Sequence, residues 1–122
     1  MTITQQMMDN KLVLTLSGRF DFQARKPFEK AIRQVQATHH RDIILNFAQV
    51  PFIDTTGLGL LVLAHKKLQL THQHLMLVAP QKQVVNVLEL TNFHKMVPFG
   101  ATEQEAGKNR LGVAVVPPRT RR

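Results

Sequence analysis

The chain has 122 residues, 43% of them hydrophobic, and no cysteine, a length that fits one domain able to bury a core without staples. Its net charge is +8, but five of the 16 basic residues and no acidic one fall between 108 and 122, leaving 11 basic against 8 acidic residues, a net +3, elsewhere. Disulfide and thiolate chemistry are excluded, no apolar run approaches the roughly 18 residues of a membrane span, and with no Trp or Tyr the folded part lacks the stacking platforms and basic face of a nucleic-acid binder. No basic-then-apolar leader opens the chain, so a cytoplasmic location is expected.

In chain order, a first strand near Ile3 to Met8 turns through Asp9-Asn10 into a second, Lys11 to Ser17, because the Asp-Asn pair suits a tight hairpin. Gly18 closes that strand. Phe28, Ala31, Ile32 and Val35 recur at the spacing of one helix face, predicting an amphipathic helix from about Gln23 to Thr38 with Pro27 in its first turn. After the polar His39-His40-Arg41-Asp42 comes Ile43 to Phe47, a strand apolar at nearly every position, as for one covered on both faces. A helix carrying Leu60, Leu61, Leu63, Ala64 and Leu68 starts near Thr56. Leu75 to Val78 is the next buried strand. Pro80 opens a further helix near Gln81, with Val84, Val85, Val87 and Leu88. Met96 to Phe99 reads as a last short strand, and Thr102-Glu103-Gln104-Glu105 has the capping character of a short helix. Alternating strands and helices predict an α/β domain, a mixed sheet of four or five strands packed by about four helices. The expected division is a domain over 1–106 and a basic, Pro-containing, flexible tail over 107–122.

The informative segment is Asp54-Thr55-Thr56-Gly57-Leu58-Gly59, between an apolar strand and an apolar helix. Backbone N–H groups in a first helical turn lack intrahelical partners and carry partial positive charge. Two accounts of the threonines stand. They are an N-cap pair with Asp54 at the positive helix end, or a hydroxyl there carries phosphate in a favourable field. Gly57 either eases the turn or leaves the hydroxyl open to an approaching protein.

These residues resemble the Asp-Ser-Ser-Gly-Leu-Gly signature of STAS domains, the anti-sigma factor antagonists and their relatives. Leu16-Ser17-Gly18-Arg19-Phe20-Asp21 is similar to the family's Gly-Glu-Leu-Asp element, and Leu88-Glu89-Leu90-Thr91-Asn92-Phe93 to a helix end it also shows. The resemblance covers roughly residues 8 to 106. It implies a single STAS-like domain phosphorylated at Thr56, the hydroxyl before the glycine, with Asp21, Asp54, Thr55, Gly57, Leu58 and Gly59 contacting the partner. The implied partners are a serine/threonine kinase of the anti-sigma factor type and a phosphatase that removes the phosphate. Three departures stand out: threonines replace the usual serines, Arg19 replaces the usual glutamate, and His72-Gln73-His74 lies where glycines are common.

No catalytic set, cofactor or metal is expected. The Gly-x-Ser-x-Gly elbow and the Gly-Lys-Ser/Thr phosphate loop are absent, and Ser17, the only serine, closes a strand. His39, His40, His65, His72, His74 and His94 include no His-x-x-x-His pair and read as solvated loop residues. The expected function is a phosphorylation-switched binding protein, not an enzyme. The alternative is a non-phosphorylated STAS subunit of an ABC-type membrane transport complex; a weaker third is an adaptor whose basic tail meets anionic surfaces.

Overall fold

The computed structural model describes residues 1–95, 97, 99 and 100. β1 (Thr2–Met8) and β2 (Lys11–Ser17) form an antiparallel hairpin with Met8 opposite Lys11. Asp9 and Asn10 take φ of 50° and 69°, the left-handed pair that a two-residue hairpin turn requires and these residue types tolerate. β3 (Asp42–Gln49), β4 (His74–Val78) and β5 (Phe99–Gly100) follow in parallel, giving one five-stranded mixed sheet in the order β1-β2-β3-β4-β5.

Three α-helices lie among the described residues: α1 (Arg25–Gln36), α2 (Thr55–Leu70) and α3 (Lys82–Leu90). The helix expected from Gln23 divides into a 3-10 turn, Phe22–Ala24, and then α1. Asp21 starts the turn by accepting the Gln23 N–H, and Pro27 sits in the first turn of α1, where no intrahelical donor is lost. The expected last strand begins only at Phe99; the helix expected at Thr102–Glu105 and the tail lie outside the described residues.

Leu12, Leu14, Leu16, Ile43, Leu45, Phe47, Leu75 and Leu77 form one sheet face and pack with Phe28, Ile32 and Val35 of α1, Leu61 and Leu68 of α2, and Val84 and Leu88 of α3. On the opposite face Val13, Ile44, Met76 and Val78 are buried too, with Met8 against them. Both faces of the central strands are therefore dry, which is why β3 is apolar along its length.

Phe20 fixes the position of the β2–α1 loop. Its ring meets Phe28 edge-on at 4.9 Å and Phe47 at 5.5 Å. Its N–H donates to the Phe52 carbonyl at 2.9 Å, and it bridges Ile53 in parallel. Gly18, at φ 112°, admits the bend into this loop. The β2–α1 and β3–α2 loops are thus stitched together beside the start of α2.

Candidate functional site at the start of helix α2

Asp54 adopts extended backbone angles and caps α2, its Oδ1 accepting the Gly57 N–H at 2.9 Å. The threonine N-cap pair is therefore corrected: the carboxylate fills the cap. Three adjacent cap-competent residues compete at such a start, and the one with extended backbone takes the role. Thr55 and Thr56 become the first two residues of the helix. Both are exposed, and neither hydroxyl makes a hydrogen bond among the described residues.

Gly57 is buried. A Cβ at this position would overlap the Phe20 carbonyl oxygen and lie 2.9 Å from Ile53 Cγ1. Of the two accounts of Gly57, the geometry gives a packing role: its bareness lets α2 pack on the stitched loops. Gly59 is the opposite case, exposed, with open space where a side chain would project. Leu58 is half-buried and packs on the core. From Thr56 and Gly59 an exposed stripe continues along α2 through Leu63, Lys66 and Leu70. Leu63 is 51% exposed and Leu70 80%, so two residues of an apolar helix reach water.

Asp21 uses both carboxylate oxygens within the loop. Oδ1 accepts the Gln23 N–H at 3.1 Å and Oδ2 faces Arg19 Nε at 3.3 Å. Arg19 also stacks over the Phe52 ring, 4.1 Å from its centroid, a cation–π contact that holds the guanidinium in place while leaving it largely exposed. Nearby, Arg25 lies over the exposed Phe22 ring at 5.4 Å and faces Glu29 Oε1 at 3.4 Å. Sequence reasoning missed both Arg–Phe pairs. Their members are four or fewer residues apart in one case and 33 in the other, so no local spacing signals the second.

His65, two residues beyond Leu63 on α2, has its imidazole pKa held below the ordinary value by burial and then by Lys66. Among the described residues no group of three His, Asp or Glu side chains could hold a metal ion, and no helix is long and apolar enough to cross a membrane. At the opposite pole the buried Gln73 donates through Nε2 to the Val35 carbonyl at 3.1 Å and the His40 carbonyl at 2.8 Å. This explains a glutamine between His72 and His74: it ties the end of α1 to the loop before β3, supplying a donor to the His40 carbonyl and a further one to the Val35 carbonyl, which also accepts from Thr38.

A STAS domain model matches residues 2–106. The chain belongs to the STAS domain family. It is 26% identical over 86 residues to a STAS-domain-containing protein of Pseudomonas aeruginosa (strain UCBPP-PA14), covering 70% of this chain and 84% of that one. An anti-sigma factor antagonist from Mycobacterium paratuberculosis superposes with TM-score 0.79 at 24% identity, over 88% of this chain and 91% of that one. The anti-sigma factor antagonist SpoIIAA in its unphosphorylated form gives 0.68 at 23% identity, over 93% and 99%. A sulfate transporter family protein from Wolinella succinogenes gives 0.72 at 17% identity, over 87% and 89%. At these identities the solved structures establish the shared fold.

Proposed function

We propose that this domain is a phosphorylation-switched binding protein of the anti-sigma factor antagonist type, with Thr56 the modified residue. The single observation that carries the reading is the unengaged, exposed Thr56 hydroxyl in a first helical turn whose cap is already supplied by Asp54. Modification there removes no hydrogen bond of the fold among the described residues. Two further facts support it: the exposed stripe Thr56–Gly59–Leu63 gives a docking face beside the hydroxyl, and the structural relative SpoIIAA is known in unphosphorylated and phosphorylated forms.

In this reading the unmodified α2 face docks on a serine/threonine kinase of the anti-sigma factor type. Phosphate adds about −1.5 to −2 charges beside Asp54. The helix N-terminus accepts that charge, so the domain stays folded while a partner with an acidic group at the contact is repelled. Weakening of about tenfold to hundredfold requires only about 1.4–2.8 kcal/mol. A phosphatase restores the docking form. Arg19, fixed on Phe52 at the edge of this face, selects a partner carrying a carboxylate opposite it. Incubation with the cognate kinase and ATP, followed by mass-spectrometric mapping, tests the proposal: phosphate on Thr56 supports it.

A second reading is a STAS subunit that docks permanently on an ABC-type transport complex through the same face. Its motive is the likeness to the sulfate transporter family protein. Purification from native membranes separates the two: stoichiometric recovery with a transporter, without phosphate, favours the subunit.

A further inference from the structure

We infer that β1 is a self-association edge, at which a second copy of this chain pairs antiparallel to extend the sheet across a two-fold axis. β1 occupies one end of the strand order, and no described strand lies on its outer side. Sheet edges are normally guarded by charge, proline, bulges or brevity. Thr2-Ile3-Thr4-Gln5-Gln6-Met7-Met8 has no charged residue and no proline. Its pairing with β2 runs through all seven residues without the register shift seen between β2 and β3. The other edge, β5, is only two residues long. Among the described residues, the β5 edge is short and the β1 edge carries no paired strand on its outer side.

The hairpin fixes which backbone groups face outward. Met8 and Lys11 close a two-residue turn and so exchange hydrogen bonds. Alternating from that pair, Gln6 and Thr4 also turn their N–H and C=O toward β2. Ile3, Gln5 and Met7 turn theirs toward the open side. Placing a two-fold axis at Gln5 sets Gln5 opposite Gln5 of the second copy, with Ile3 opposite its Met7. The outward N–H and C=O groups of these residues then satisfy one another.

Side chains argue for the same occupant. Ile3, Gln5 and Met7 lie on the helix-covered face, opposite Leu16, Leu14 and Leu12. Between Ile3 and Gln5 of β1 and Pro27, Lys30, Ala31 and Gln34 of α1 runs an open cleft of about 270 Å³, Lys30 being the one charged residue of its lining. Met7 is 49% exposed, and the two-fold lays the second copy's Met7 beside Ile3 at the mouth of this cleft. Two copies of a chain with net charge +8 repel each other over most approaches. β1 is an uncharged strip along which they can meet without like charges in register. A single strand pair buries less than the roughly 1,200–2,000 Å² of stable complexes, so the dimer is weak and concentration-dependent.

The test uses the full chain in two arms. Sedimentation velocity from micromolar to millimolar concentration should show reversible dimer formation. Gln5→Lys, an exposed position that would oppose like charges on the axis, should weaken dimerisation by about tenfold or more. Because the chain contains no cysteine, Gln5→Cys introduces a lone thiol. Residues opposed in a hydrogen-bonded antiparallel pair have Cα atoms about 5.5 Å apart, within disulfide range. Mild oxidation should therefore crosslink Gln5→Cys much faster than Gln69→Cys, an exposed control on α2. A monomer at millimolar concentration, a dimer indifferent to Gln5→Lys, or equal crosslinking of the two cysteine variants would each overturn the inference. If Gln5→Lys fails to fold, the crosslinking comparison decides. Thr56 takes no part in either arm, so the result is independent of the phosphorylation switch.

Discussion

At the ends of α1, α2 and α3 the threonine hydroxyls are all committed to the chain, whereas at the start of α2 they are not. Thr38 donates to the Val35 carbonyl at 2.7 Å, Thr71 to Leu68 at 3.2 Å, and Thr91 to Val87 at 2.9 Å. Gln73 then links the ends of α1 and α2 into one buried polar knot. Thr55 and Thr56, chemically the same, make no such bond among the described residues because Asp54 has taken the cap. Carbonyls left over at a helix C-terminus recruit nearby hydroxyl donors; a helix N-terminus offers donors that a carboxylate satisfies better. One pole of the molecule therefore uses its polar groups for stability, and the other keeps two hydroxyls available.

The comparison breaks most visibly at Gly57. Gly57→Ala should destabilise by about 3 kcal/mol or more, because a backbone carbonyl and Ile53 block the new methyl; a melting temperature within 2 °C of the parent would show that α2 does not rest on the Phe20 loop. Next in size is the opposite pole. Gln73→Leu should cost about 2 kcal/mol by leaving the His40 carbonyl without its Gln73 donor and the Val35 carbonyl with Thr38 alone, read by urea denaturation.

Smaller effects sharpen the assignment of the cap. Asp54→Ala should lose about 1 kcal/mol, while Asp54→Asn, also a good cap, should lose little stability and act mainly on phosphorylation or partner contact. Equal losses in the two variants would mean that the carboxylate stabilises by charge and not by accepting the Gly57 N–H. Gly59→Ala should instead gain about 0.5–1 kcal/mol, since the added methyl meets open space on a helix. The same change should weaken docking if the exposed stripe of α2 is the partner face.

The stripe Phe28, Ala31, Ile32 and Val35 is wholly buried in α1, and the Asp9-Asn10 turn is where the sequence places it, because period and turn chemistry are local properties. Gly57 and Gly59 show the limit. Two residues apart on one helix, they look alike in sequence, yet one faces a loop 37 positions upstream and the other faces water. Which of Asp54, Thr55 and Thr56 caps α2 depends on backbone angles that the stitched loops impose. The Arg19–Phe52 stack and the Gln73 knot join segments more than 30 residues apart, so neither leaves a periodic trace.

Quantitative phosphosite mapping after reaction with the cognate kinase and ATP, run in parallel on the parent and Thr56→Ala, tests the switch most directly. Thr56→Ala should melt within about 0.5 kcal/mol of the parent, because its hydroxyl supports no contact among the described residues. The parent should carry phosphate on Thr56 and lose partner affinity by about tenfold or more, while Thr56→Ala should bind and remain unmodified. Phosphate confined to Thr55, or none on the parent in the presence of an active kinase, would contradict the account.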